Sequence, residues 1–190
     1  FAPSYVPNPK RADRNRRSVY VHKTRGHRWP FMETFNQPGS ETSCELRDQS
    51  NITPQVFALF NGQEMNDRAL ALASSVLHQE ANRKDAIRML VKRVYGRDPL
   101  PQEAAQIEQH WRKMQQRQLT IQPKPIRWPT EVVREAIDEN TGQPFSFVEK
   151  LFVYEDYEPD LQPHQVDVKT RALADVCLAL LNSNEFIYVY

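Results

Sequence analysis

The chain has 190 residues, 26% charged and 39% hydrophobic, an ordinary composition for a globular chain long enough for one large domain or two small ones. No apolar run approaches the roughly 18 residues that a membrane-crossing helix needs. The net charge of +1 conceals an asymmetry: residues 1–32 carry eight basic side chains and one acid, and residues 128–190 carry twelve acids and four bases.

In chain order, the first residues, FAPSYVPNPKRADRNRR, contain no apolar stretch of the signal-peptide kind. Residues 1–50 hold five prolines and little helical period. RSVYVHKTR, residues 17–25, alternates polar with β-branched and aromatic side chains, the pattern of a short strand or extended arm. PGSETS at 38–43 is turn chemistry.

From Thr53 the period changes. Thr53 suits a cap and Pro54 a first helical position, Val56, Phe57 and Phe60 fall on one side, and Asn61-Gly62 breaks the helix. A second helix is expected from about Glu64 to Glu80, with Leu70, Leu72, Ala73, Val76 and Leu77 as its stripe. A third runs from about Asn82 to Tyr95 through Ala86, Ile87, Leu90, Val91 and Val94, and Gly96 stops it. A fourth opens at Pro101 and carries Ala104, Ile107, Trp111 and Met114, with Glu103 in its first turn, where negative charge suits the helix dipole.

LTIQPKPIRWPT, residues 119–130, reads as a connector, after which Thr130 caps a short helix through Ile137. Residues 145–163 mix aromatics and acids. A last helix, from about Val168 to Leu181, holds Leu173, Val176, Cys177 and Leu180. Phe186, Tyr188 and Tyr190 then alternate like a strand that would pair with the arm at 17–25. The expected fold is mainly α, with five or six helices, an irregular basic arm and short two-stranded pairing of arm and tail. Residues 1–50 would form an arm and loop packed on one helical domain, residues 51–190.

Two stretches carry a resemblance. FNQPGSETSCELRDQSNITPQVFALFN resembles the motif F-D-x-P…C-x-x-R…T-P-x-Q-A-L-x-L-x-N, and ALADVCLALLNSNEFIYVY resembles a terminal L-L-N-x-N-E-F-x-Y-V signature. RRSVYVHKTR and VYGRDPLPQEA are similar to further segments of the same family, the planctomycete C-terminal domain of unknown function. The resemblance spans about residues 16–190 and implies a setting rather than a reaction. That setting is an extracytoplasmic one, periplasm, cell envelope or secreted, as the C-terminal part of a longer polypeptide. A second domain of unknown function would lie upstream, often with a cytochrome-c-like domain, so haem belongs to an upstream domain and no cofactor to this chain. Two positions depart from the pattern: Asn36 stands where the family has aspartate, and Leu100 where it has threonine. Asn36 puts any carboxylate chemistry there in doubt, and Leu100 removes a capping hydroxyl worth about 1 kcal/mol.

Each candidate site has a plain alternative. Cys44 with Arg47 could be a thiolate activated by a cation, with His22 or His27 as a base reached through folding. The CxxR spacing alone does not supply the defined electropositive setting that a reactive thiol needs, so we read both Cys44 and Cys177 as structural thiols. A long-range disulfide between them and two separate buried thiols both stay open. Asn182, Asn184 and Glu185 could hold a ligand; we read them as a helix end in which an asparagine takes the left-handed position. The acidic run FVYEDYEPD lacks the spacing of a calcium loop, and no metal site is expected.

Arg16, Arg17, Arg25, His27, Arg28 and Arg47 are the candidates for an anionic ligand or an interdomain contact. Arginine forks with interleaved rings suit an anionic polysaccharide. Nucleic acid is disfavoured by an isoelectric point near 8.0. The alternative is that the basic arm closes on the acidic half of the same chain. The function expected is a non-catalytic C-terminal module that stabilises an upstream domain. Half of a composite redox or polysaccharide-processing active site, or a self-associating envelope subunit, are the alternatives; whether the chain is part of an enzyme stays open.

Overall fold

A computed structural model of the chain describes residues 7–21, 27–39, 43–46 and 52–188. In order, the elements are α1 (Arg11–Arg14), a 3-10 turn (Ser18–Tyr20), α2 (Pro30–Thr34), α3 (Thr53–Asn61), α4 (Gln63–Gln79), α5 (Arg83–Tyr95), α6 (Pro101–Leu119), β1 (Glu131–Ile137), β2 (Pro144–Lys150), two more 3-10 turns (Phe152–Tyr154 and Pro163–Gln165), α7 (Val168–Leu181) and α8 (Asn184–Ile187). The fold is mainly α. The chain divides into two compact units, residues 1–48 with 126–160, and residues 49–125 with 161–190. The excursion 126–160 interrupts what the sequence suggested was one helical domain over 51–190.

In the helical unit, α7 lies at the centre and both α4 and α6 pack along it. The core is Ala69, Ala73 and Val76 of α4, Ala86, Ile87, Leu90 and Val91 of α5, Ile107, Trp111 and Met114 of α6, and Ala172, Leu173, Val176, Cys177 and Leu181 of α7. Burying each Leu, Ile or Val of this set stabilises by about 1.5–3 kcal/mol. Trp111 is fully buried, so its indole N–H needs an acceptor; it donates to the Lys169 carbonyl at 3.2 Å. The Arg83 guanidinium covers the ring at 4.4 Å.

The helix ends follow the capping residues. Asn82 accepts the Lys84 N–H at 2.9 Å, and Asp167 accepts the Thr170 N–H at 2.8 Å. Gly96 takes the left-handed conformation, φ 75°, directly after α5. At α6 the N-cap is Leu100, which has no oxygen to offer. Glu103 compensates from inside the first turn by accepting the Leu100 N–H at 3.1 Å. This is the half of a capping box that needs no hydroxyl.

α3 is inverted relative to the rule for surface helices. Its polar Gln55 is turned inward, 9% exposed, while Phe57 is 60% and Phe60 48% exposed. Val56, Phe57 and Phe60 do share a side, as the sequence suggests, and that side faces out.

In the other unit, none of the described residues is fully buried. α2 ends in a Schellman arrangement: the Asn36 N–H donates to the Glu33 carbonyl at 3.0 Å and the Gln37 N–H to the Met32 carbonyl at 3.0 Å. Asn36 sits at the left-handed position, φ 56°, which asparagine tolerates better than most residues.

The helix expected over 130–137 is instead β1, paired antiparallel with β2 from Glu131↔Lys150 to Ile137↔Pro144. The reason is local. Val132, Val133 and Ile137 favour a pleated strand. Asp138 builds the turn by accepting the Asn140 N–H (2.8 Å) and the Thr141 N–H (2.9 Å), and Gly142 supplies the positive φ, 68°. The arm and the tail are a second correction. Ser18–Tyr20 is a 3-10 turn rather than strand, and Asn184–Ile187 is a helical turn capped by Ser183. Residues 22–25 and 189–190 of that expected pairing lie outside the described residues.

Candidate functional site

Arg14 anchors the described part of the arm through several contacts. Its Nη1 donates to the carbonyls of Asn8 (2.7 Å) and Pro9 (2.6 Å), and its Nη2 to the carbonyl of Glu158 and, at 3.5 Å, to Asp160 Oδ2. Its guanidinium lies 4.2 Å from the centre of the Tyr157 ring, which packs in turn against Trp128 at 5.2 Å and Tyr154 at 5.8 Å. Asn15 donates to Asp160 Oδ1 at 2.9 Å, and the Arg11 N–H donates to Glu158 Oε2 at 3.2 Å. The Glu158 N–H closes the contact on the Pro9 carbonyl at 2.9 Å. Here the basic arm meets the acidic aromatic run of its own chain, the plainer of the two readings of the charge asymmetry. Guanidinium over an aromatic face plus several carbonyl bonds makes Arg14 a structural pin. Sequence reading passed over Arg14 because nothing distinguishes it locally from Arg16 and Arg17.

The arm residues singled out in advance are placed differently. Arg16 is exposed and reaches Asp13 at 3.4 Å. Arg17 is exposed, with its guanidinium 5.6 Å from the Tyr20 ring. His27 is exposed, and Arg28 stands 4.0 Å from Glu33. Such exposed pairs contribute little to stability, so these cations stay accessible to an external anion. Arg25 and Arg47 lie outside the described residues. Cys44 is exposed, with its thiol donating to the Leu46 carbonyl at 3.1 Å, and Cys177 is in the core. Both are free thiols, and burial pushes the Cys177 thiol well above its ordinary pKa.

A second polar centre lies in the helical unit. Arg97 forks onto two carboxylates: Nε and Nη2 to Glu185 Oε1 and Oε2, both 2.7 Å, and Nη1 and Nη2 to Glu103 Oε2 (2.8 Å) and Oε1 (3.0 Å). It also lies 5.2 Å from the Tyr95 ring, whose hydroxyl donates to Ser183 Oγ at 2.9 Å. Hydrogen bonding from Arg97 holds both Glu103 and Glu185 below the usual carboxylate range, and the two carboxylates raise the arginine. Beside it Asn182 Nδ2 donates to the carbonyls of Leu178 (2.8 Å) and Leu59 (3.2 Å), tying the end of α7 to α3. Asn182 has φ −101°, so it acts through its side chain, in place of the left-handed backbone expected.

Arg97 and Glu103 come from VYGRDPLPQEA, and Asn182, Ser183 and Glu185 from LLNSNEF. The two segments recognised separately in the sequence are therefore one structural joint. Apart from Asn182 Oδ1, which is buried without a hydrogen-bond partner, the side-chain polar groups described at this joint are taken up within the chain. Among the described residues no group of three or more His, Cys, Asp or Glu is placed to hold a metal ion. Among the described residues no helix is long and apolar enough to cross a membrane.

The remaining distinctive surface is apolar. In addition to α3, the hairpin exposes Val133 (67%), Ile137 (68%) and Val148 (58%), and the Phe145 and Phe147 rings stack 6.0 Å apart near solvent. Exposed apolar groups gathered on single faces mark interaction surfaces.

No curated protein and no solved structure matches the chain. A family model described as PSD1, protein of unknown function (DUF1553), matches residues 2–111, more than half of the 190. The matched region ends inside α6, although the fold of the helical unit continues through α7, which supplies the centre of its core. The chain belongs to the PSD1 family, whose members are proteins of unknown function (DUF1553).

Proposed function

We propose that the chain is a non-catalytic C-terminal module of a larger planctomycete-type envelope or secreted protein. It stabilises an upstream domain of the same polypeptide and turns basic side chains of its arm toward an anionic polysaccharide. Any haem would sit on an upstream domain. The observation that carries this reading is the inverted α3, which hides Gln55 and presents Ile52, Val56, Phe57 and Phe60. A helix of nine residues with no charge and its rings outside fits a surface covered in the intact protein. The second unit supports it, since none of its described residues is fully buried.

The ionisable groups held away from their ordinary values also serve structure. Asp98 is lowered by Arg88, Glu108 by Arg112, Glu149 by Arg134, and Asp138 and Asp167 by turn and cap N–H or hydroxyl groups. Perturbed groups of this kind are explained by ion pairs and caps without catalytic work.

The test is the double substitution Phe57→Ser and Phe60→Ser. In residues 1–190 alone it should leave the melting temperature unchanged or slightly raised, because both rings are exposed there. In the intact polypeptide it should lower the unfolding temperature of the module and open it to protease. No difference between substituted and unsubstituted intact protein would refute the docking role. For the polysaccharide, Arg16→Gln, Arg17→Gln and Arg28→Gln together should abolish retention on a sulfated-glycan column at low salt. Equal retention would remove that part of the reading.

A further inference from the structure

We infer that β2 pairs edge to edge, antiparallel, with β2 of a second copy of this chain. Backbone parity fixes which groups of β2 face outward. The Leu151 N–H donates to the Thr130 carbonyl (2.7 Å) at one end of the hairpin, and the Asp138 N–H to the Gln143 carbonyl (2.9 Å) at the other. Hydrogen-bonded pairs alternate along an antiparallel ladder. With the register Glu131↔Lys150 to Ile137↔Pro144, the bonded pairs between these ends are Val132/Glu149, Arg134/Phe147 and Ala136/Phe145. The backbone groups of Ser146, Val148 and Lys150 therefore point away from β1, along an edge that no other strand pairs with among the described residues.

The usual edge guards, a proline and a lysine, stand only at the two ends of this edge, Pro144 and Lys150. From Phe145 to Val148 it holds no charge, and its one proline, Pro144, stands at the start. Ser146 is exposed and Val148 is 58% exposed. A two-stranded hairpin is marginal by itself and gains from a third strand.

The central register of β2 is self-compatible. If β2 meets β2 of a second copy about Phe147, Ser146 falls opposite Val148 twice, and each such pair exchanges two backbone hydrogen bonds. Lys150 then falls opposite Pro144, and Glu149 opposite Phe145, so no like charges meet. The two Phe147 rings lie side by side and continue the Phe145–Phe147 stack across the two-fold axis. On β1, centring on Val133 sets Glu131 against Glu135 twice, and centring on Arg134 or Glu135 sets a charge against itself, arrangements that destabilise a sheet, so only the off-centre registers about Val132 and Ala136 are open to it. The product is a four-stranded sheet, β1-β2-β2-β1, with a closed two-fold interface. It is independent of the docking role assigned to α3.

The experiment is sedimentation velocity of residues 1–190 over a wide concentration range, with two variants. The wild type should show a reversible dimer. Ser146→Pro removes an outward N–H without touching the β1–β2 ladder, and should be monomeric with an unchanged far-ultraviolet dichroism spectrum. In a Cys44→Ser background, Phe147→Cys should form a covalent dimer on mild oxidation at least ten times faster than Val133→Cys. A wild type that stays monomeric throughout, a Ser146→Pro variant that still dimerises, or equal cross-linking of the two cysteine variants would each overturn the inference. Should Ser146→Pro misfold, the cross-linking comparison decides alone.

Discussion

Arg97 and Glu185 stand 88 residues apart in sequence and meet fork to fork, with both nitrogen–oxygen distances at 2.7 Å. The same guanidinium holds Glu103, which in turn caps the first turn of α6. One arginine thus fixes the α5–α6 corner against the end of α7. Replacing Arg97 by Met should lower the melting temperature of the chain by several degrees. Arg97→Lys should recover only part of the loss, because an ammonium cannot bond two planar carboxylates side by side. Full recovery by lysine, read by calorimetry, would show that charge alone matters at this joint.

The joint also sets an acid limit. Glu103 and Glu185 are held below the usual carboxylate range by hydrogen bonds from Arg97. Their unfolded pKa lies near 4.3. Their contribution to stability is therefore fully present above about pH 4.3 and is lost as pH falls through the lower, folded values. Melting temperature measured from pH 6 down to pH 3 should fall more steeply for the wild type than for Arg97→Met. Parallel curves would contradict the assignment.

Gly62 joins α3 to α4 at a corner too tight for any side chain. A Cβ placed there would stand 2.2 Å from the Ala58 carbonyl oxygen, which already accepts the Gly62 N–H at 3.0 Å. Gly62→Ala should cost about 1–3 kcal/mol in chemical denaturation, the usual cost of forcing a methyl into filled space. Gly96→Ala meets no atom within 4 Å and should cost only the left-handed backbone penalty, about 1–2 kcal/mol.

Asn36 tests whether a family position is chemical or conformational. Its φ of 56° and the two Schellman bonds make it a helix stop. Asn36→Gly and Asn36→Asp should leave stability within about 0.5 kcal/mol, whereas Asn36→Val should cost about 1–2 kcal/mol. An aspartate variant that gains an activity would instead point to a carboxylate role.

The two thiols should behave oppositely. Exposed Cys44 should react with an aromatic disulfide reagent at once, and buried Cys177, whose thiol is pushed up by burial, only after unfolding. One fast thiol in native buffer and two in denaturant is the expected count. Two fast thiols in native buffer would contradict the packing of α7.

The helices from α3 to α7 were legible because their apolar residues recur at helical spacing and their ends carry strong signals, Thr53-Pro54, Gly62, Gly96 and Pro101. What spacing could not reveal was direction. Val56, Phe57 and Phe60 have the pattern of a core stripe, yet Gln55 is the residue that turns inward. The strand at Glu131–Ile137 was read as a helix because EVVREAI suits either form, and the pairing with PFSFVEK that decides it is non-local. The turn signals of Asp138 and Gly142 belong to the hairpin loop that joins these two strands. The Arg97 joint was visible only as two separate motifs, since no local rule links positions 97 and 185. Arg14 was hidden among equals for the same reason.

The central claim is that the outward face of α3 and the second unit, none of whose described residues is fully buried, are completed by the rest of a larger polypeptide. The most direct measurement is hydrogen exchange of residues 1–190 alone compared with the same residues in the intact protein. The account predicts that amides of α3 and of the β1–β2 hairpin exchange at least tenfold more slowly in the intact protein, while those of α4 and α7 change little. Identical exchange in both would mean an autonomous domain and would contradict the account.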